Sequence, residues 1–192
     1  MSKNQYNENG FIPQHGGYEK LLSYKKSQIV YDGTIYFCKR FFNKYDRTVD
    51  QMVQAARSGK QNIVEASMAS ATSKETEIKL TNVARASLEE LLIDYKDFLR
   101  INKYKEWEKT DRYSIRLHEL NKDPNGTYAT FRRGIENENP EICVNVMIGL
   151  IKVTSYLLDR QLRKLEEDFL KEGGLRERMT RARVNERNKR MG

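Results

Sequence analysis

The sequence predicts an all-α protein: an up-down antiparallel four-helix bundle with an elaborated connection between its third and fourth helices and a basic C-terminal tail. Two observations predict this fold. Apolar residues recur at steps of three and four residues through four long stretches, the spacing of a helix with a buried face. Only 3 prolines and 11 glycines interrupt the 192 residues, of which 38% are hydrophobic and 32% are charged. A chain of this length is expected to form one domain, or at most two.

Residues 1–17 are predicted to be a flexible lead-in, because Gly10, Pro13, Gly16 and Gly17 disfavour regular structure. A first helix is predicted over residues 18–45. Its buried face is expected to carry the apolar residues that recur in heptad-like steps, Leu21, Tyr24, Tyr31, Ile35, Cys38, Phe42 and Tyr45.

Two capping boxes mark the starts of the central helices, which are predicted over residues 48–70 and 73–101. The first is the Thr-x-x-Gln box that begins at Thr48, and the second pairs the hydroxyls of Thr72 and Ser73 with Glu75. Small side chains are common on the first of these helices, so we expect the two backbones to approach closely. These small residues are Ala55, Ala56, Ser58, Gly59, Ala66 and Ala69.

The connection over residues 102–137 is weakly periodic, and only the part from Trp107 to Leu120 is predicted to form a short helix. The last bundle helix is predicted over residues 139–171. Its start has a capping Asn139 and a proline at the first helical position, and its end is marked by Gly173 and Gly174.

The last bundle helix carries two apolar faces, although a bundle helix needs only one. The second face is predicted to be an oligomer interface, because self-association would cover it most simply. The alternative is that the connection folds over it. The residues of this second face are Ile142, Val146, Leu150, Val153 and Leu157.

No catalytic constellation stands out, so the chain is predicted to be non-enzymatic and without cofactor. A di-metal centre in a bundle needs inward Glu-x-x-His pairs, but the two histidines, His15 and His118, lie in the lead-in and the connection. Cys38 and Cys143 lie within apolar patterns and are interpreted as core residues. The apolar runs are too short for a membrane span, and the first residues lack the apolar core of a signal peptide, so a cytoplasmic location is expected.

Basic residues are the remaining functional signal. The chain has a net charge of +8, and seven cations against two acids give residues 175–192 a net charge of +5. These tail cations are predicted to contact nucleic-acid phosphates, because the guanidinium fork of arginine matches phosphate oxygens. The alternative for the tail is a disordered, solubilising end. The tail cations are Arg176, Arg178, Arg181, Arg183, Arg187, Lys189 and Arg190.

A second set of cations lies along the two central helices and is also a candidate nucleic-acid surface. The alternative for this set is an ordinary salt-bridged surface, since Glu65, Glu75 and Glu77 are near in sequence. The set comprises Arg57, Lys60, Lys74, Lys79 and Arg85.

Two motifs of the central helices resemble a known family. They are the segment from Gln54 to Ala66, QAARSGKQNIVEA, and the Ser73-Lys74-Glu75 helix start followed by ASLEEL at residues 86–91. Together they resemble the bacterial four-helix-bundle family of the ribosomal RNA intervening-sequence proteins and the accessory variability determinant of diversity-generating retroelements. Ala66 stands where the family commonly has glycine, and the outer helices match by pattern only.

The resemblance implies a non-enzymatic homopentamer with a positively charged surface and, for the retroelement member, RNA binding as the partner of a reverse transcriptase. The sequence therefore predicts an oligomeric, RNA-favouring nucleic-acid-binding accessory protein. The alternative function is a protein-interaction scaffold whose nucleic-acid affinity is incidental.

Overall fold

A computed structural model describes residues 16–43 and 45–191, of which 81% are helical, and no strand occurs among them. The all-α prediction is confirmed. The predicted lead-in lies almost entirely outside the described residues. After a single 3-10 turn at Tyr18–Lys20, the helices are α1 (Leu22–Phe41), α2 (Arg47–Ala69), α3 (Lys74–Ile101), α4 (Arg112–Asn121), α5 (Tyr128–Ile135), α6 (Pro140–Glu172) and α7 (Leu175–Met191).

Six helices, α1 to α6, pack together. Helix α1 lies against α2 and α6, and α3 lies against the same two helices. Phe37 is fully buried at the centre, with its ring centroid 4.9 Å from that of Tyr95 and 5.0 Å from that of Phe98. The Tyr95 hydroxyl donates to Thr34 Oγ1 at 3.1 Å, which satisfies a phenol that is buried in the core.

Helix α1 is shorter at both ends than the predicted 18–45. The apolar pattern continues through both ends, but Leu21 and Phe42 have extended backbone angles, which stop the helix. Tyr45 is exposed instead of occupying the core face. Periodicity alone therefore gave bounds that were too wide.

The starts of α3 and α6 confirm the predicted caps. Ser73 Oγ accepts from the backbone N–H of Thr76 at 3.1 Å, and Asn139 Oδ1 accepts from that of Glu141 at 2.9 Å. Glu75 does not complete a box, because its carboxylate pairs with Lys79. The box predicted at Thr48 is wrong, since Asp46 is the N-cap of α2.

Close packing of α2 on α3 is confirmed at the predicted small residues. A Cβ added to Gly59 would lie 2.9 Å from Leu88 Cδ2, so a larger side chain would require Leu88 to shift. The hydroxyls of Ser58 and Ser87 lie 2.9 Å apart across the same contact. The small-residue pattern of α2 thus sets a short distance between two backbones.

The connection folds over the first half of α6. The predicted short helix is present as α4, and a second one, α5, was not predicted; both pack on α6. Val146 of α6 lies against Gly134 of α5, and Gly149 of α6 lies against Leu117 of α4, so closely that a Cβ at either glycine would clash. The connection is therefore an additional layer of the fold.

One helical stretch, Pro140–Arg190, is long and apolar enough to cross a membrane by length and composition. No such stretch was expected from the sequence. Of its most apolar window, 56% is buried inside the protein, and α6 contacts α1, α3, α4 and α5. The apolar composition of α6 is that of a core helix with neighbours on several sides.

Candidate nucleic-acid interface

Three of the five candidate cations on the central helices are ion-paired within the chain. Lys74 lies 2.8 Å from Glu77 and Lys79 lies 2.6 Å from Glu75. Arg85 donates to Asp159 of α6 at 3.0 Å and also to the side chain of Asn82 at 2.8 Å. These contacts support the interpretation of this set as a salt-bridged surface.

The other two cations of the set lie on α2. The Lys60 ammonium lies 4.1 Å from the ring centroid of Tyr31, a cation–π contact with α1. Its charge also opposes the burial that raises the pKa of Asp32. Arg57 is exposed. No contact in the described chain joins the five cations into one cluster.

The basic tail is helical, as α7. Arg183, Arg187 and Arg190, which the sequence placed at helical spacing, are all exposed, and Arg190 lies 3.3 Å from Glu186. Met179 and Val184 are 39% and 50% exposed, and Leu175, at the start of the helix, is half-buried. Helix α7 therefore presents its cations without burying an apolar face of its own.

Arg178 differs from the other cations of α7. Its Nε and one Nη atom are shielded from solvent and have no hydrogen-bond partner among the described residues. The neighbouring carboxylate of Glu177 accepts instead from the backbone N–H of Gly174 at 2.9 Å. A guanidinium whose donors lack acceptors is costly to bury, and an anion would satisfy it.

The second apolar face of α6 divides into two parts. Val146 and Leu150 are 6% and 0% exposed, and Val146 lies against Gly134 of the connection. Ile142, Val153 and Leu157 are only half-buried. At Val146 the structure therefore matches the alternative interpretation, in which the connection covers the face. Self-association itself stays a prediction.

The cysteines are core residues, as predicted. Both are buried and unbridged, and burial raises the pKa of each thiol to about 12. The Cys143 Sγ donates to the carbonyl oxygen of Ile135 at 2.9 Å, which ties α6 to the end of α5. Neither thiol is suited to nucleophilic chemistry at neutral pH. No group of three or more potential metal-ligating side chains lies together in the described part of the chain.

Sequence reasoning missed two arrangements around the connection. The ammonium of Lys26 on α1 is completely buried, with its Nζ atom 4.7 Å from the ring centroid of Phe131 on α5. The side chain of Asn145 on α6 makes three hydrogen bonds. Two of them reach the loop before α4, at Lys105 and Trp107, and the third reaches Glu141 of α6. Both depend on α5 and the loop before α4 folding back on the bundle, which local sequence does not encode.

Comparison of the chain with protein-family models, curated proteins and solved structures gave no match. The contacts, charges and exposed surfaces described above are therefore the basis on which a function is proposed.

Proposed function

We propose that this protein is a non-enzymatic accessory protein that binds nucleic acid, RNA in preference, through the phosphate backbone. The observation that carries the proposal is α7, a 17-residue helix with seven cations and exposed apolar residues. Phosphate contacts supply most of the affinity of such proteins but carry no sequence information. We therefore assign to α7 a contribution to the affinity for nucleic acid, but none to sequence specificity.

Arg178 supports this assignment independently of net charge. Its unsatisfied donors lie near the joint between α6 and α7, and a phosphate oxygen would provide the missing acceptor. The cations of α2 and α3 are given a smaller part, because Lys74, Lys79 and Arg85 are already paired with carboxylates.

The proposal includes an assembly. On the resemblance described above, α1, α2, α3 and α6 form an up-down antiparallel bundle, and five copies form a ring in the cytoplasm that carries several basic helices. Multivalency would then strengthen RNA binding without new contacts. The same resemblance suggests an RNA–protein complex with a reverse transcriptase as the partner. Sedimentation equilibrium at micromolar concentration tests the ring, and a monomer there would contradict it.

The phosphate contact is tested by measuring RNA affinity across salt concentrations for the full chain and two charge variants. In the tail variant, the exposed cations Arg176, Arg183 and Arg187 are changed to Gln. The matched control changes the same number of paired cations, Lys74, Lys79 and Arg85, to Gln.

Each phosphate contact that is lost flattens the slope of log K against log salt by about 0.7 for a single strand. The tail variant is expected to lose about two units of slope, and the control much less. Equal slopes for the two variants would contradict the assignment to α7.

A protein-interaction scaffold is the second candidate, favoured by exposed apolar residues near the end of α6. Leu170 is 84% exposed and Phe169 is 40% exposed, a surface that a protein partner would bury. RNA affinity that is weak and unaffected by deletion of residues 175–192 would favour this scaffold over the nucleic-acid-binding function.

A further inference from the structure

A groove between α4 and α6, here called the α4–α6 groove, encloses about 490 Å³ and has the size of a small-ligand site. Leu117 of α4 and Ile148 and Val153 of α6 give it apolar walls. Trp107, the only tryptophan of the chain, also lines it. An aromatic side chain thus borders a concave apolar surface on the outside of the fold.

Trp107 is held in place by Asn145, which is buried in α6. The backbone N–H of Trp107 donates to Asn145 Oδ1 at 2.8 Å, and the Asn145 amide donates to the carbonyl oxygens of Lys105 and Glu141, both at 2.9 Å. Two of these bonds, to Lys105 and Trp107, hold the loop before α4 against α6, and the third lies within α6. The position of the indole is therefore set by the fold rather than by a bound molecule.

The indole already takes part in an aromatic stack. Its ring centroid lies 5.1 Å from that of Tyr113, with an interplanar angle of 22°. Trp107 is among the residues that line the groove, and Tyr113 is not. A planar ring that enters the groove would extend this stack by one layer.

Asn121 lines the same groove and carries an unsatisfied acceptor. Its Nδ2 donates to the carbonyl oxygen of Leu117 at 3.0 Å, whereas its Oδ1 is buried and has no partner among the described residues. An unsatisfied buried acceptor favours a ligand that brings an N–H or O–H donor. A purely hydrocarbon ligand would leave this atom unsatisfied.

The rim of the groove favours an attached negative charge. Glu106 lies 2.7 Å from Lys152, so both charges are already neutralised within the chain. Lys109, another lining residue, is exposed. A planar ring with a hydrogen-bond donor and a linked phosphate is the chemistry of a nucleotide.

We propose that the α4–α6 groove receives an unpaired base of bound single-stranded RNA, stacked on Trp107 and donating a hydrogen bond to Asn121 Oδ1. This inference rests on the proposed function, because it assigns a second contact to the same RNA. Helix α7 holds phosphates of any nucleic acid, and the groove selects strands whose bases are free to leave a duplex.

The single tryptophan gives a direct readout in the unmodified protein. Its emission is measured during titration with a short single-stranded oligoribonucleotide of mixed sequence, with the blunt-ended duplex of that sequence, and with inorganic polyphosphate. Fluorescence anisotropy of labelled RNA reports total binding in parallel. Single-stranded RNA is expected to quench Trp107 with the same apparent Kd that anisotropy gives, while polyphosphate binds without quenching.

Variants test the site by affinity. Trp107→Leu is expected to weaken single-stranded RNA binding about tenfold, the scale of one base–aromatic stack, and to leave the salt slope unchanged. Trp107→Phe should restore most of the affinity. The matched control is Tyr156→Leu, because Tyr156 is a 59% exposed aromatic residue of α6 that does not line the groove. Asn121→Leu removes the acceptor at similar volume and should also weaken binding.

The outcomes separate this inference from the proposed function. RNA that binds with a steep salt slope, but without quenching and with equal affinity for Trp107→Leu and Tyr156→Leu, would overturn the groove assignment and leave phosphate binding by α7 intact. Equal quenching by duplex and single strand would also overturn it. Absence of RNA binding by anisotropy would overturn both.

Discussion

The first half of α6 and the helix that follows it, α7, lie in opposite surroundings. Leu150 is buried within the fold, and α4 and α5 cover the side of α6 that a simple bundle would leave open. Helix α7 exposes cations and apolar residues alike. The difference shows that the excess apolar residues of α6 are used within the fold, whereas α7 keeps most of its charged side chains exposed.

The largest expected effect concerns a buried and an exposed leucine, both of which lie in α6. Leu150→Asp places a carboxylate where no water or cation compensates it, and should cost on the order of 4 kcal/mol of unfolding free energy. The matched variant Leu170→Asp, at an 84% exposed position, should change it by about 0.5 kcal/mol or less. Urea unfolding followed by circular dichroism measures both. Similar midpoints for the two variants would mean that Leu150 is not buried in solution.

A smaller effect is expected at Lys26, under the connection. Its ammonium is buried against Phe131 without a hydrogen-bond acceptor among the described residues. Lys26→Met keeps the length of the side chain and removes the charge, so at neutral pH it should stabilise the protein by about 1–2 kcal/mol. Lys25→Met, at the exposed neighbouring position, is the control and should have little effect.

The Lys26 effect should depend on pH in a defined direction. Burial lowers the pKa of Lys26 below its usual value of 10.5, and attraction to Asp123 opposes this only in part. The unfolded chain therefore binds this proton more tightly, and the wild type gains stability as pH rises toward about 10.5. The gain in unfolding free energy from Lys26→Met should therefore become smaller as the pH rises toward about 10.5. An advantage that is constant with pH would show that Lys26 is solvated.

The smallest expected effect is at the surface pair between α3 and α6. Arg85→Gln removes the ion pair with Asp159, whose side chains are 46% and 42% exposed. It should cost less than about 1 kcal/mol, and less still at high salt, because solvent screens both charges. Thermal unfolding at low and high salt measures this. A larger, salt-independent loss would mean that the pair organises the packing of α3 on α6.

Local chemistry predicted the features of this fold that depend on few residues. The starts of α3 and α6 follow from the side chains of Ser73 and Asn139, and the close α2–α3 contact follows from Gly59 and its neighbours. Helix α5 was missed because eight residues contain too few apolar positions to show a period; only Phe131 and Ile135 are buried.

The candidate site was less predictable, because its contacts join residues far apart in the chain. Trp107 and Asn145 are 38 residues apart, and Arg85 and Asp159 are 74 apart. Sequence identified the cations but not which of them the fold neutralises. It also gave no indication that Asn121 would carry an unsatisfied acceptor beside a stacked tryptophan.

Gly173, between α6 and α7, sets the direction in which the basic helix leaves the fold. Its φ of 71° and ψ of −174° lie in a region of backbone conformation that essentially only glycine adopts. From this pivot, 17 helical residues extend about 25 Å. Stacked nucleotides rise about 3.4 Å each along one strand, so roughly seven phosphates fit within that length. Under the proposed function, the length of α7 therefore limits its contact to a strand of about seven phosphates.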